Sequence, residues 1–383
     1  MDLELTPHQK KLAADVAKFA AKEIAPGADE RDRSGQFPRS LWRRMGEAGL
    51  LGLLVSSQYR GGGTDFLTTA VAFESFARYG HDMGLCASLT VTTLLCRFQL
   101  LRHANEEQRR KYLPAIATGE KIPAFAVSEE KRGSHPRYLE TTAKHEGSCY
   151  VINGRKMYIT NGPVADLVIV FAVTERFGDR NGISAFLVEK GTPGFSVGKI
   201  MDLDFCRSAP HSELVFEDCR VPEENLIGEK NTAFEKMVRG VRENEDSLGM
   251  ATFAGLLQWQ LELAAGYLKQ QNRELSDDQL LLLSDFASTV EIARTIAYKV
   301  AWLRDARKET TAEFAACHFH FQKLADSAVG VLNDLFTTEE DLVRSGLERP
   351  LRDMKIALIG RNVANLRKQK LARQLMSGGG TLT

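Results

Sequence analysis

Glu245 is the residue of this 383-residue chain whose type and position best suit chemistry. The sequence around it has a helical period. Phe234, Val238, Val241, Leu248 and Thr252 fall near one face, and Glu245 interrupts that face. A carboxylate among apolar neighbours has a raised pKa unless it is paired, which suits general acid or base work. The competing role is a structural ion pair with an arginine, Arg361 among the candidates. Glu243, Glu245 and Asp246 together form a carboxylate cluster, and paired carboxylates donate a proton as well as accept one. The commoner use of acids near a helix start is a solvated face that compensates the helix dipole. His318 and His320 are two apart on a helix, so they diverge, and no metal site is expected. The six cysteines have no CxxC spacing, which fits reduced thiols serving as small core residues rather than disulfides or a zinc site.

The elements that must position these residues come in two periods. Thr6-Pro7 starts a helix whose apolar face is Leu12, Val16, Phe19 and Ala20, ending before Pro26. Further helices are predicted over Pro38–Leu54, Thr68–Tyr79 and Cys86–Leu101, with a Gly-rich loop at Arg60–Thr64. From Ile122 to about Asn231 the pattern alternates every second residue. Leu167–Phe171, Ile183–Glu189, Phe195–Ile200 and Glu213–Glu217 fit strands of an antiparallel β-domain. Asn153-Gly154 between YVI and RKMYIT predicts a two-residue hairpin. Gly133 lets the polar loop Ser128–Ser134 approach a ligand closely. From Thr232 the helical period returns and persists to about Leu375, and the tail SGGGTLT is expected to be disordered.

Fifty basic side chains balance fifty acidic ones, so nothing favours nucleic acid or an anionic membrane as partner. No apolar run approaches the roughly 20 residues of a membrane span, and MDLELTPHQKK carries no apolar leader, so a cytoplasmic protein is expected.

Residues 126–171 read SEE…GSH…TTA…G-YVINGRK-MYITN…AD, followed by GTPGF (Gly191–Phe195), SELVF (Ser212–Phe216) and RVPEENLIG (Arg220–Gly228). Glu106–Ala117 adds EEQ-x-x-x-YLP-x-x-A. With these motifs the chain resembles the acyl-CoA dehydrogenases over nearly its whole length. The resemblance implies an α+β multidomain fold: a helical domain over 1–121, a middle β-domain over 122–231, a C-terminal helical bundle over 232–376, and a disordered tail over 377–383. It also implies an acyl thioester, on CoA or a carrier protein, and a homodimer or homotetramer built through the last domain.

In that family the flavin ring of FAD lies against the β-domain. The matching residues here are Ser128, Ser134, Thr160 and Tyr158, the last replacing a tryptophan that packs on the ring, while Glu130 and His135 replace a proline and an aspartate. Arg207 matches a family arginine and His211 replaces a threonine near substrate or flavin, so Arg207, His211 and Glu243 are the candidate substrate contacts. Arg273 keeps the arginine of an R-x-x-F-G motif without its Phe-Gly. Glu339, Glu340 and Asp341 of DLFTTEED stand where a Q-x-x-G-G motif would meet pyrophosphate, and their charge is repulsive there. These changes imply weak or absent FAD binding. After RDMKI (Arg352–Ile356), Arg361 falls at the family's catalytic glutamate, and an arginine stays protonated. The isovaleryl-CoA and long-chain branches carry their base where Glu245 aligns, with Asp246 beside it in place of an arginine. The catalytic candidates are therefore Glu245, Asp246 and Arg361. Three functions compete: a non-redox elimination, isomerisation or cyclisation of an acyl thioester; an FAD-dependent α,β-dehydrogenation with Glu245 as base; and an inactive subunit partnering an active homologue.

Overall fold

The computed structural model describes residues 4–94, 99–131, 133–271, 274–307 and 311–358, with 369, 372, 373 and 376; side chains at 94, 239–247, 311–318, 321 and 357–358 are outside the description. Helices α1 (Pro7–Phe19), α2 (Ala28–Ser34), α3 (Arg39–Glu47), α4 (Phe66–Gly80), α5 (Met83–Leu94), α6 (Leu101–His103) and α7 (Glu106–Ala117) fill the first third. Thr6 caps α1 as predicted: its hydroxyl accepts from Gln9 N at 3.2 Å while the Gln9 side chain accepts from Thr6 N at 3.0 Å. Two predicted helices need correcting. The one expected over Pro38–Leu54 stops at Glu47, because Gly49 turns left-handed at φ +78° and ends it. The one expected from Cys86 begins at Met83, where the Asp82 carboxylate accepts from Leu85 N at 3.0 Å, and its described part ends at Leu94.

The middle third is one eight-stranded sheet: β1 (Pro123–Ala126), β2 (Thr142–Glu146), β3 (Cys149–Thr160), β4 (Leu167–Phe177), β5 (Arg180–Glu189), β6 (Phe195–Met201), β7 (His211–Pro222) and β8 (Leu226–Ile227). Their order is β6-β7-β3-β2-β4-β5-β8, with β1 against β4. The sheet is mixed rather than purely antiparallel, since β1 and β2 both meet β4 in parallel. β4 is buried on both faces. Leu167, Ile169, Phe171 and Val173 pack with Tyr112, Leu113 and Ile116 of α7, and Val168, Val170 and Ala172 pack with Ile152, Phe186, Leu214 and Phe216. That two-sided burial is why its sequence is continuously apolar instead of alternating.

The hairpin predicted at Asn153-Gly154 is not there. The turn joins Glu146 to Cys149 through Gly147 and Ser148, with Gly147 at φ +65°. β3 runs on through Asn153 and Gly154 with a register shift. The Asn153 amide accepts from Asp218 N at 2.8 Å and donates to Asp218 Oδ1 at 3.1 Å, tying β3 to β7. A Cβ on Gly154 would stand 2.6 Å from Thr141 Cα, so the glycine serves a close approach at a bulge rather than a turn.

The last third is helical: α8 (Arg239–Gln270), α9 (Asp277–Asp305), α10 (Thr311–Leu335), α11 (Glu339–Ser345) and α12 (Glu348–Asp353). By contacts the chain divides into one unit of Met1–Ala28, Asp65–Cys86 and Asp246–Thr383 and another of Asp29–Thr64 and Ala87–Glu245. Within the first unit, a Cβ on Gly255 of α8 would clash with the Glu74 carbonyl of α4, and Arg294 Nε of α9 reaches Glu74 Oε1 at 2.6 Å. Among the described residues no helix is long and apolar enough to cross a membrane. The predicted tail over 377–383 lies outside the described residues.

Candidate functional site

Glu213 organises one face of the sheet. On β3, Met157 and Tyr158 bulge between the pairs Lys156↔Leu214 and Ile159↔Ser212; on β6, Gly198 and Lys199 bulge between Val197↔Leu214 and Ile200↔Ser212. Both bulges therefore oppose Glu213 of β7. Its Oε1 accepts from Arg155 Nη1 at 3.0 Å and its Oε2 from Lys199 N at 3.2 Å. The Arg155 hydrogen bond, helped by the Lys199 amide, holds the Glu213 carboxyl below the usual range. A side chain at Gly198 would overlap that carboxylate. The consequence is at Tyr158, which sits at φ +58° with 58% of its surface exposed. A bulky residue in the left-handed region costs about 1–3 kcal/mol and persists only where its surroundings impose it.

Two residues on, Thr160 pairs with His211 across β3 and β7, and Met201 of β6 pairs with His211 from the other side. Thr160 Oγ1 lies 2.8 Å from His211 Nε2, and His211 Nδ1 lies 2.8 Å from the Ala209 carbonyl. Burial pushes the imidazole pKa down, against the pull of that carbonyl. Arg207 stands in the turn before β7, half-buried, with no ion pair among the described residues.

A buried pair fixes the loop after β1. Lys156, with 0% of its side chain exposed, donates to Glu129 Oε1 at 2.8 Å and to the Val127 carbonyl at 3.1 Å. Glu129 also accepts from Glu140 N at 2.6 Å, Thr141 N at 3.0 Å and Thr141 Oγ1 at 2.6 Å. Burial pulls the Lys156 ammonium down to about 8 despite the carboxylate beside it. Burial raises the Glu129 carboxyl, but Lys156 and Thr141 outweigh it and hold it low. Met157 N donates to the Ser128 carbonyl at 2.8 Å, and Glu129 and Gly133 exchange two 3.0 Å backbone bonds. Ser128 is thus fixed beside the Tyr158 bulge, while Ser134 lies exposed just past the loop's closure. Sequence reasoning missed this pair and Glu213. The available signal was a lysine in the same inward register as Ile152, which requires a partner.

Residues 6–120 match the acyl-CoA dehydrogenase N-terminal domain and residues 124–219 the acyl-CoA dehydrogenase middle domain. Over 374 residues, 96% of this chain and 98% of the relative, it is 34% identical to a short-chain specific acyl-CoA dehydrogenase of Clostridium acetobutylicum. The chain belongs to the acyl-CoA dehydrogenase family. Among solved structures it resembles PigA with FAD and proline (TM-score 0.90, 28% identical, 98% of this chain and 99% of that one). It also resembles the prolyl acyl carrier protein oxidase AnaB (TM-score 0.89, 27% identical, 97% and 100% covered).

Against the family pattern, the structure brings Tyr158, Thr160 and His211 onto neighbouring strands, with Ser128 in the loop bonded to β3 and Arg207 in the adjoining turn. An exposed aromatic face beside a hydroxyl and fixed loop backbone is a chemical fit to the ring half of FAD. Glu243, Glu245 and Asp246 lie on α8, their side chains outside the description; Arg273 and Arg361 fall outside the described residues altogether. The acidic run is the first turn of α11. Thr338 caps it, accepting from Asp341 N at 3.1 Å, and Asp341 Oδ1 accepts from the Tyr267 hydroxyl at 2.9 Å. Glu339 and Glu340 are exposed at the positive end of that helix. Among the described residues no cluster could hold a metal ion.

Proposed function

We propose that this protein removes hydrogen from the α and β carbons of an acyl thioester, carried on CoA or a carrier protein, with FAD as acceptor and Glu245 as base. The observation that carries this reading is Tyr158. It is an exposed aromatic on strained backbone, imposed by two bulges around Glu213 and braced by the Lys156–Glu129 pair, and such strain marks functional sites. FAD, when bound, supplies the acceptor for the β-hydrogen and its two electrons. Tyr158 would pack on the ring. Thr160, Ser128 and Ser134 would hold the ring's edge, and Arg273 would neutralise the pyrophosphate. Glu245 would take the α-proton, with Asp246 next to it in sequence tuning its charge. Arg207, with no ion pair among the described residues, would meet the anionic part of the thioester, with Glu243 and His211 as further substrate contacts. The C. acetobutylicum relative supports a CoA thioester and AnaB a carrier-bound one. A homodimer or homotetramer is part of the proposal: Leu280 and Leu281 of α9 and Val343 of α11 are exposed apolar surface for a second copy to cover.

A second reading has its own observation. Glu339 and Glu340 stand where the family meets pyrophosphate, which favours weak FAD binding and acid–base chemistry through Glu245 and Asp246 on the same thioester. The absorption spectrum of the purified protein separates the two. Near-stoichiometric flavin that acyl thioester bleaches supports dehydrogenation. A colourless protein that still converts the thioester supports the non-redox reading and sinks the first.

A further inference from the structure

Thr160 and His211 make a hydrogen-bonded couple in which every proton has an assigned place. The Ala209 carbonyl only accepts, so its 2.8 Å contact puts a proton on His211 Nδ1. Burial lowers the pKa of the ring, against the pull of that carbonyl, and so favours its neutral form. Its Nε2 is then a bare acceptor, and the Thr160 hydroxyl 2.8 Å away gives its one proton to it. A threonine alone on a strand rotates its hydroxyl to donate or accept as a ligand demands. Thr160 has lost that freedom, and what it turns to everything other than His211 is lone pairs.

We propose that His211 is a positioning residue that acts through Thr160, making this face of β3 select an N–H donor and thereby favour the reduced, N–H-bearing flavin ring over the oxidised one. This rests on the flavin reading above. The chemistry is general. Oxidised isoalloxazine has a bare nitrogen at the centre of its edge where the reduced ring has N–H, and an oxygen that offers only lone pairs bonds the second and repels the first. A flavin held against such an oxygen is easier to reduce. Burial and the Ala209 carbonyl are the influences that act on the ring, and on β7 the Glu213 carboxylate is occupied by Arg155 and the Lys199 amide.

The test uses the full chain and FAD itself. Protein fluorescence is titrated with oxidised and with dithionite-reduced FAD, and the ratio of the two Kd values is compared among variants. The wild type is expected to favour the reduced form, and His211→Leu to shrink that preference by about 2–10-fold, the size of one hydrogen bond. Thr160→Val, a near-isosteric change at a strand position that accepts β-branched residues, is expected to shrink it equally, and the double variant no further. Should His211→Leu fail a thermal melt, Thr160→Val carries the test alone. A ratio unchanged in the variants overturns the assignment and leaves the flavin reading standing. Binding of neither form by the wild type overturns the flavin reading, and this inference with it. Nitrogen NMR of the histidine gives a result independent of flavin: a proton on Nε2 near neutral pH also overturns the assignment.

Discussion

Glu74 and Glu129 are both buried carboxylates facing one principal cation, but the cations make them different devices. Glu74 of α4 meets Arg294 of α9, whose guanidinium also donates to Gln258 Oε1 at 2.9 Å and to Glu291. Burial works against that charge, but Glu74 and Glu291 more than offset it, and a guanidinium does not discharge at any ordinary pH. That pair fastens helices. Glu129 meets Lys156, a single ammonium with no exposure, brought down to about 8 by burial. It fastens the Ser128 loop to β3 with a cation whose charge depends on pH. Where a branched, permanent cation spreads over several acceptors, the role is mechanical. Where a point charge is buried beside a strained aromatic, the same salt bridge makes the geometry of a site titratable.

The comparison predicts a third kind of carboxylate at Glu245, one that works rather than fastens, and this carries the largest expected effect. Glu245→Gln keeps shape and removes proton exchange. The kcat for the acyl thioester should fall about 10²–10⁴-fold with little change in KM, and the melting temperature should hold. Loss of thermal stability with activity kept would put Glu245 in the same class as Glu74.

Lys156→Met comes next. It strands Glu129 as an uncompensated buried charge, so chemical denaturation should show a loss of about 3–5 kcal/mol. The pH dependence sharpens the contrast with Arg294. Between about 8, where folded Lys156 releases its proton, and about 10.4, the unfolded value, the unfolded chain binds more protons. Wild-type stability therefore gains from Lys156 as pH rises through that window. The gain is absent in Lys156→Met, so the gap between the two proteins should widen. A gap that stays flat from pH 8 to 10.4 would show that Lys156 keeps its proton, as Arg294 does.

Much of this architecture is legible in the sequence because it rests on local signals. Thr6-Pro7 starts α1, Thr68–Tyr79 falls within α4, and the apolar run from Leu167 is a strand buried on both sides. The failures share a cause: a local signal that a distant contact decides. Asn153-Gly154 reads as a turn, but Asp218 takes the asparagine and Thr141 needs the glycine. Tyr158 and Thr160 were found by motif alone. The bulge at Tyr158 lies opposite Glu213, more than fifty residues on, and no periodicity announces it. Glu129 and Lys156 are likewise visible only once the strand has a register and the loop a partner.

The smallest predicted effect tests the exposed end of the comparison. Glu339 and Glu340 are carboxylates with neither burial nor, among the described residues, a structural cation of the Arg294 kind; Arg344 meets Glu340 at 3.3 Å, joining two exposed side chains. Their sequence position suggests repulsion of a pyrophosphate, whereas their structural position is the first turn of a capped helix, where negative charge is favoured. The two roles predict opposite results for the double variant Glu339→Gln, Glu340→Gln. If the acids serve the helix, stability should drop by about 0.3–1 kcal/mol for each, partly restored at high salt by screening of the dipole term, and FAD affinity should not move. If they guard against the cofactor, FAD should bind distinctly tighter in the variant. The helix role is the one expected, because Thr338 and Tyr267 already commit Asp341 to the cap and the two glutamates follow from the same turn.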